Sequence, residues 1–255
     1  MEIFLNVMLC FIIFMLGACF GSFFNVVLLR LPKKENFINT RSYCPECGKT
    51  LLWYELIPFF SYVFQGGRCR NCQSRIKPQY LLMEIICGGG NVWAYLVLGF
   101  SYETLIAFIL FPVLTALSAE DIKKTEIPYW CTVTIAALGL IATAISFTPL
   151  SSRALWYEHL LGTVIIALPF AVFCYLGAMG GGDVQLTAAA GLLLGWAIVP
   201  SVLIAMLTGG VFGLVIKLTK KRATICFGPF LSVGIAAGYL YGYDVIKWYA
   251  GFLGG

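Results

Sequence analysis

Apolar residues run through this chain in long unbroken stretches, not at the spacing of a one-sided helix or an alternating strand. Eight such stretches predict helices of membrane-crossing length, at roughly residues 4–28, 82–99, 103–119, 128–147, 157–177, 184–197, 199–217 and 229–250. The sixth is short and glycine-rich, so a tilted or broken helix is expected there. The one sizeable polar stretch falls between the first and second. This pattern predicts an all-α polytopic membrane protein in three parts: a first transmembrane helix (1–29), a loop domain (30–80) and a seven-helix core (81–255).

Composition strengthens the membrane reading. Of the 255 residues, 60% are hydrophobic, 15% aromatic and only 11% charged, far from the usual balance of a soluble domain. The first run differs from a cleaved secretory signal: it is too long, carries Glu2 and no basic residue ahead of it, and no Ala-x-Ala site follows. No internal repeat stands out.

Charge supplies the orientation. Nine Lys/Arg lie between Arg30 and Gln79, Lys123 and Lys124 follow the third run, and Lys217, Lys220, Lys221 and Arg222 follow the seventh. Only Arg153 and Lys247 of the 17 Lys/Arg fall on the other side. The basic side is expected to be cytoplasmic, with both termini outside. The net charge of +5 is thus spread over three connections of a membrane protein, which argues against a nucleic-acid surface.

The polar stretch holds Cys44-x-x-Cys47 and Cys69-x-x-Cys72. Each pair offers two thiolates on one tight turn, and two such turns make a tetrahedral sulfur site suited to Zn²⁺. Gly48 and Gln73, each just after a pair and near Lys49 and Arg75, suit the turn. Disulfides would be expected outside the cell, but the charges place this segment in the reducing cytoplasm. A redox-active C-x-x-C usually stands singly at a helix start. A structural zinc would supply folding energy to a segment poor in aliphatic residues. The aromatic run "WYELIPFFSY" in the same segment could pack on the cysteine turns or lie at the membrane surface, and core packing is the default expectation. The other six cysteines, Cys10, Cys19, Cys87, Cys131, Cys174 and Cys226, are expected to be small buried hydrophobes.

Carboxylates near the runs are few and include Glu84, Glu120, Asp121, Glu126, Glu158, Asp183 and Asp244. Asp121 ends the third run and Asp183 opens the sixth in "GAMGGGDVQL", both on the basic side. Ionisable groups at membrane depth are functional candidates. Two carboxylates that meet must share a proton, so one serves as base towards water and the other as acid towards a carbonyl. Gly180, Gly181 and Gly182 would let another helix or an extended peptide approach, and would allow non-helical backbone before Asp183. Pro128 should break or start a helix near Asp121. Taken singly, each Asp has a plainer reading: Asp183 as a helix N-cap, Asp121 as a solvated group beside two lysines. Glu120, Glu126 and Glu158 read as interfacial or solvated, and Asp244 as lying near the outer end of its span. His159, on the opposite side with no Ser/Asp grouping, is a poor nucleophile's partner.

With these residues in view, the chain resembles bacterial type IV prepilin peptidases. The likeness runs nearly end to end, through "GACFGSFFNVVLLRLP", the paired C-x-x-C segment, "YLLMEIICG", "DIKKTEIP", "GAMGGGDVQLTAAAGLLLGW" and "FGPFLSVG". It implies a GxGD aspartic peptidase with Asp121 and Asp183 catalytic and Gly180 and Gly182 as active-site backbone. It also implies cleavage of a basic prepilin or pseudopilin leader after a glycine, at the cytoplasmic face of the inner membrane. Methylation of the new N-terminus with S-adenosylmethionine follows, a step the resemblance ties to the segment of Cys44, Cys47, Cys69 and Cys72. Two positions depart from the pattern: Gln185 stands where many relatives have Lys, and Tyr129 where an acidic residue often follows Ile-Pro. No G-x-G-x-x-G after a strand marks a Rossmann-type site for S-adenosylmethionine.

Three other readings compete. A GxGD peptidase without methylation would have no use for the cysteine segment. A proton-coupled transporter would carry midplane carboxylates and inverted repeats. A zinc-ribbon adaptor on a membrane anchor would need only one or two spans.

Overall fold

In a computed structural model the described residues are 2–31, 36, 41–148, 154–177, 179–219 and 226–253. Lys33, Lys34, Arg153, Lys220, Lys221 and Arg222, used in the charge count, and the side chain of Glu2 lie outside them. The elements are α1 (Glu2–Arg30), α2 (Phe60–Phe64), α3 (Pro78–Leu98), α4 (Tyr102–Lys124), α5 (Tyr129–Ile145), α6 (Trp156–Tyr175), α7 (Gly181–Leu194), α8 (Ile198–Thr219) and α9 (Gly228–Leu253). Apart from the short α2, these match the eight apolar runs one for one. Among the described residues the only extended pairing is two isolated bridges, Tyr43 with Thr50 and Arg68 with Arg75.

Five stretches among the described residues are long and apolar enough to cross a membrane: Ile3–Arg30, Pro78–Leu98, Tyr102–Lys124, Trp156–Tyr175 and Gly181–Thr219. The last spans 39 residues, because α7 and α8 join without a loop. A 3₁₀ turn at Gly195–Ala197 makes the joint, and Gly195, with φ of +57°, takes the left-handed conformation that a side chain would disfavour. The expected break in the sixth run is this joint. α5 is apolar but has 17 residues. In α9, Tyr239, Tyr241, Tyr243 and Asp244 dilute the apolar character.

The chain divides into two compact units, Met1–Ala116 and Leu117–Gly255. In the first, α1 lies along α3. A side chain at Gly21 would sit 2.9 Å from the carbonyl oxygen of Met83, so the backbones approach as only small residues permit. The segment between these helices is tied to them by polar contacts. The amide of Phe59 donates to Glu84 Oε2 at 2.8 Å, and the buried Arg30 donates to the carbonyl of Arg41 at 3.2 Å. Gln79 Nε2 donates to Asn25 Oδ1 at 3.4 Å.

The aromatic run departs from the core expectation. Phe59 and Phe60 do pack on α1, with ring centroids 6.4 Å from Phe14 and 6.5 Å from Phe11. Trp53 and Phe64, however, are 77% and 79% exposed. A short segment braced by hydrogen bonds lacks the volume to enclose every ring. The six remaining cysteines likewise divide. Cys87 and Cys131 are buried, Cys10, Cys174 and Cys226 half-buried, and Cys19 exposed, because helix faces at the apolar surface need not be covered by protein.

In the second unit α7 is the central helix, packed on α5 and α6 and touching α9, while α8 pairs with α9. A Cβ at Gly162 of α6 would fall 2.3 Å from the carbonyl oxygen of Gly195, which sets the close approach of α6 to the end of α7. His159 Nδ1 lies 2.9 Å from the carbonyl oxygen of Leu192; the imidazole must donate here, and it braces the same pair of helices. Tyr243 on α9 donates to the carbonyl of Leu194 at 3.1 Å.

Candidate active site and metal centre

Asp121 sits in the last turn of α4 and is buried. Thr125, with φ of +55°, turns the chain out of that helix, and Pro128 starts α5 as its N-cap. Asp183 enters from α7, whose N-cap is Gly180 in extended conformation (φ −75°, ψ 148°). Asp183 is therefore the third residue of the helix and not its cap. It is half-buried and close enough to Asp121 for the two charges to interact. The fold thus brings together two carboxylates that lie on different helices.

Their surroundings explain the arrangement. Oδ2 of Asp121 accepts the backbone amide of Gly228 at 2.8 Å, a buried contact across 107 residues. Gly182 faces the turn after Asp121: a Cβ there would lie 3.2 Å from Cβ of Ile127. Gly181 faces open space. The glycine run is thus needed for close approach at Gly182, but none of the three has a left-handed backbone; the positive φ belongs to Gly177, at +73°. Cys226, two residues before Gly228, has its thiol pushed up by burial and then by the negative charge of Asp121. Gln185 and Tyr129, the two unusual positions, are both exposed.

One neighbour corrects the sequence reading. Glu120 is buried, not solvated, and pairs with Lys124 one turn on. Lys124, one of the two lysines that follow Asp121, is thereby engaged by another carboxylate. Glu126 and Asp244 are exposed, and Glu158 accepts the amide of Leu155 at 3.2 Å as part of the start of α6.

In the first unit, the sulfurs of Cys44, Cys47, Cys69 and Cys72 all lie within 4.8 Å of one another, and Cys44 Sγ is 3.9 Å from Cys72 Sγ. Four thiolates around one Zn²⁺ at about 2.3 Å would sit about 3.8 Å apart, so the donor set fits a metal of this kind. The two turns repeat one another. The amide of Gly48 donates to the carbonyl of Cys44, and that of Gln73 to the carbonyl of Cys69, each at 2.9 Å. Gly48 and Gln73 share a left-handed backbone, φ +69° and +59°, so the expected turns are present.

Backbone amides aim at the sulfurs. That of Cys47 leads the groups that bring Cys44 down to about 6, and the Ser74 hydroxyl, 3.1 Å from Cys72 Sγ, leads in lowering Cys72. Cys69 moves upward: the Cys72 amide favours its thiolate, but desolvation and the thiols of Cys72 and Cys44 outweigh it. Four thiolates in this volume need a cation to coexist.

Residues 15–98 match the bacterial peptidase A24 N-terminal domain, and residues 108–214 match the type IV leader peptidase family. The chain is 33% identical over 244 residues to the prepilin leader peptidase/N-methyltransferase of Bacillus subtilis (strain 168), covering 93% of this chain and 96% of the relative.

The chain belongs to the type IV leader peptidase family.

Further relatives in this family carry the same name: one from Myxococcus xanthus (strain DK1622), 34% identical over 83% of this chain but 64% of its own length, and one from Aeromonas salmonicida (strain A449), 29% identical over 93% and 92%. No solved structure matches the chain. The N-terminal match contains the four cysteines, and the leader peptidase match contains Asp121 and Asp183. Gly228 lies beyond both matches, and sequence reasoning missed it. "FGPF" is legible as a helix start, since Pro favours the first turn, but nothing in it names the carboxylate its amide would meet. Glu84 was visible as a carboxylate in an apolar run, while its acceptance of the Phe59 amide was not.

Proposed function

We propose that this chain is a membrane aspartic endopeptidase that removes the basic leader of type IV prepilins or pseudopilins after a glycine. It then methylates the new N-terminal residue with S-adenosylmethionine. The observation that carries the reading is the meeting of Asp121 and Asp183 in a member of the type IV leader peptidase family.

Two carboxylates close enough for their charges to interact favour sharing one proton. The ionised member takes a proton from water as its oxygen attacks the carbonyl carbon after the leader glycine. The protonated member gives its proton to the carbonyl oxygen, and a tetrahedral diol forms. On collapse the C–N bond breaks, the leader leaves as a carboxylate, and the pilin amine takes a proton. The freed amine, once neutral, accepts the methyl group from the sulfonium donor. Gly180 and Gly182 act here as backbone: Gly182 lets α7 close on Ile127, and the exposed stretch at Gly180 and Gly181 leaves room for an extended peptide.

Cys44, Cys47, Cys69 and Cys72 would hold a Zn²⁺ whose contribution is folding energy for the segment between α1 and α3. The four-sulfur cluster and the relatives named N-methyltransferase favour the two-step reading over a peptidase without methyl transfer. The chain sits in the bacterial cytoplasmic membrane, with the carboxylate pair and the cysteine segment on the cytoplasmic side. That placement draws on the 15 Lys/Arg gathered in three connections, counted from the 17 in the chain less Arg153 and Lys247.

The test is co-expression of the chain with a prepilin and mass spectrometry of the pilin N-terminus. A pilin that has lost its leader and gained one methyl group is expected. A pilin that keeps its leader would overturn the reading.

A further inference from the structure

Helix α9 opens with an amide that has no acceptor inside the helix. The carbonyl of Phe227 takes the amides of Phe230 and Leu231, both at 3.1 Å, and Pro229 has none to give. That leaves Gly228, whose N–H is one of the donors every helix start must place elsewhere. It is placed on Oδ2 of Asp121, buried, at 2.8 Å.

The fit allows nothing larger at this position. A Cβ at 228 would lie 2.7 Å from Oδ2, 2.9 Å from Cγ and 3.0 Å from Cβ of Asp121. All three atoms belong to one carboxylate-bearing side chain, so a methyl group at 228 cannot be accommodated without turning that carboxylate away. A side chain of Asp held by one buried amide has one oxygen fixed and the other directed, and a donor at a helix start favours a negative oxygen.

We propose that Gly228 is a positioning residue for the peptidase reaction: its amide fixes the Asp121 carboxylate, and its lack of a side chain is what lets that carboxylate sit within reach of Asp183. The proposal rests on the peptidase reading given above. It assigns a role in cleavage and none in methyl transfer, so the two activities separate at this residue. Gly234, on the same helix, gives the contrast. A Cβ there would fall 2.3 Å from the carbonyl oxygen of Ser201, which obstructs helix packing without touching a carboxylate.

The test uses the full chain in nanodiscs, with a prepilin for cleavage and a pre-cleaved pilin for methyl transfer. Gly228→Ala is expected to lower kcat for cleavage by about tenfold or more, the scale for losing an aligned polar contact to a reacting group, with KM within about twofold of wild type. Methyl transfer to the pre-cleaved pilin stays at the wild-type rate. Gly234→Ala is expected to lower both activities together. Cleavage at the wild-type rate in Gly228→Ala, or parallel loss of both activities, overturns the proposal.

A second measurement covers a Gly228→Ala chain that does not fold. In otherwise native protein labelled with ¹⁵N-glycine, the Gly228 amide proton should move upfield in Asp121→Ala and stay in place in Asp183→Ala. No response to Asp121→Ala overturns the contact itself. The peptidase reading fails separately, if Asp121→Asn or Asp183→Asn still cleaves normally.

Discussion

Gly182 of α7 faces Ile127, in the turn that follows Asp121, so closely that a Cβ at 182 would lie 3.2 Å from Cβ of the isoleucine. One glycine therefore sets how near the two carboxylate-bearing segments come. Gly182→Ala is expected to push the turn by a few tenths of an ångström and to lower leader cleavage about tenfold, the scale on which misplaced catalytic groups act. Pairing it with Ile127→Gly, which removes the Cβ that is met at 3.2 Å, should restore part of the loss. Kinetics of the two single variants and the double variant check this; additive losses would place the contact elsewhere.

Gly181 makes the opposite prediction. Its missing Cβ would meet nothing within 4 Å, and alanine is better than glycine by about 1 kcal/mol in a helix interior and by less at a first residue such as Gly181. Gly181→Ala should therefore leave thermal stability in detergent unchanged or raised. If an extended substrate lies along the exposed start of α7, the same change raises KM for the prepilin. An unchanged KM would remove Gly181 from the substrate path.

How much of this was legible beforehand depends on what carries the information. Helix positions were read from eight apolar runs because a bilayer demands length and apolarity, both properties of residue type. The cysteine turns were read from C-x-x-C and the small or turn-forming residue after it, and the paired carboxylates from their rarity in an apolar chain. Other features belong to the backbone or to packing. The amide of Gly228 is common to every residue type but proline, so no pattern singles it out. Glu120 and Lys124 are four residues apart on α4, and this spacing is a pairing signal; the burial of Glu120 depends on which face of α4 is covered. Trp53 and Phe64 have core composition but no neighbouring volume to fill.

Metal removal gives a third prediction. Cys44 is pulled down to about 6, chiefly by the Cys47 amide, and metal binding needs its thiolate. Cys69, pushed upward, holds its proton more firmly, so protons compete for the four sulfurs already at neutral pH and more strongly as pH falls. A metal bound to the four sulfurs should be released progressively as pH falls, read with a zinc indicator. Cys44→Ser with Cys69→Ser should abolish binding, and this variant should still remove the leader while leaving the amine unmethylated.

Glu84 braces the same segment. Its Oε2 accepts the amide of Phe59 from a buried position. Glu84→Ala strands that amide, at a cost of about 1–3 kcal/mol, and Glu84→Gln keeps an acceptor oxygen in place. Hydrogen exchange at Phe59 should quicken markedly in the alanine variant and little in the glutamine variant. Exchange unchanged in the alanine variant would show that the amide has another acceptor.

The central claim is that Asp121 and Asp183 act as a pair, and one measurement tests it most directly. A prepilin is incubated with purified wild-type chain, Asp121→Asn or Asp183→Asn, and leader release is timed by mass spectrometry, with methyl transfer to a pre-cleaved pilin as the control for folding. The account predicts that each Asn variant loses cleavage while keeping methyl transfer. Normal cleavage by either variant would contradict it and leave Asp183 as an ordinary acidic residue in the first turn of α7.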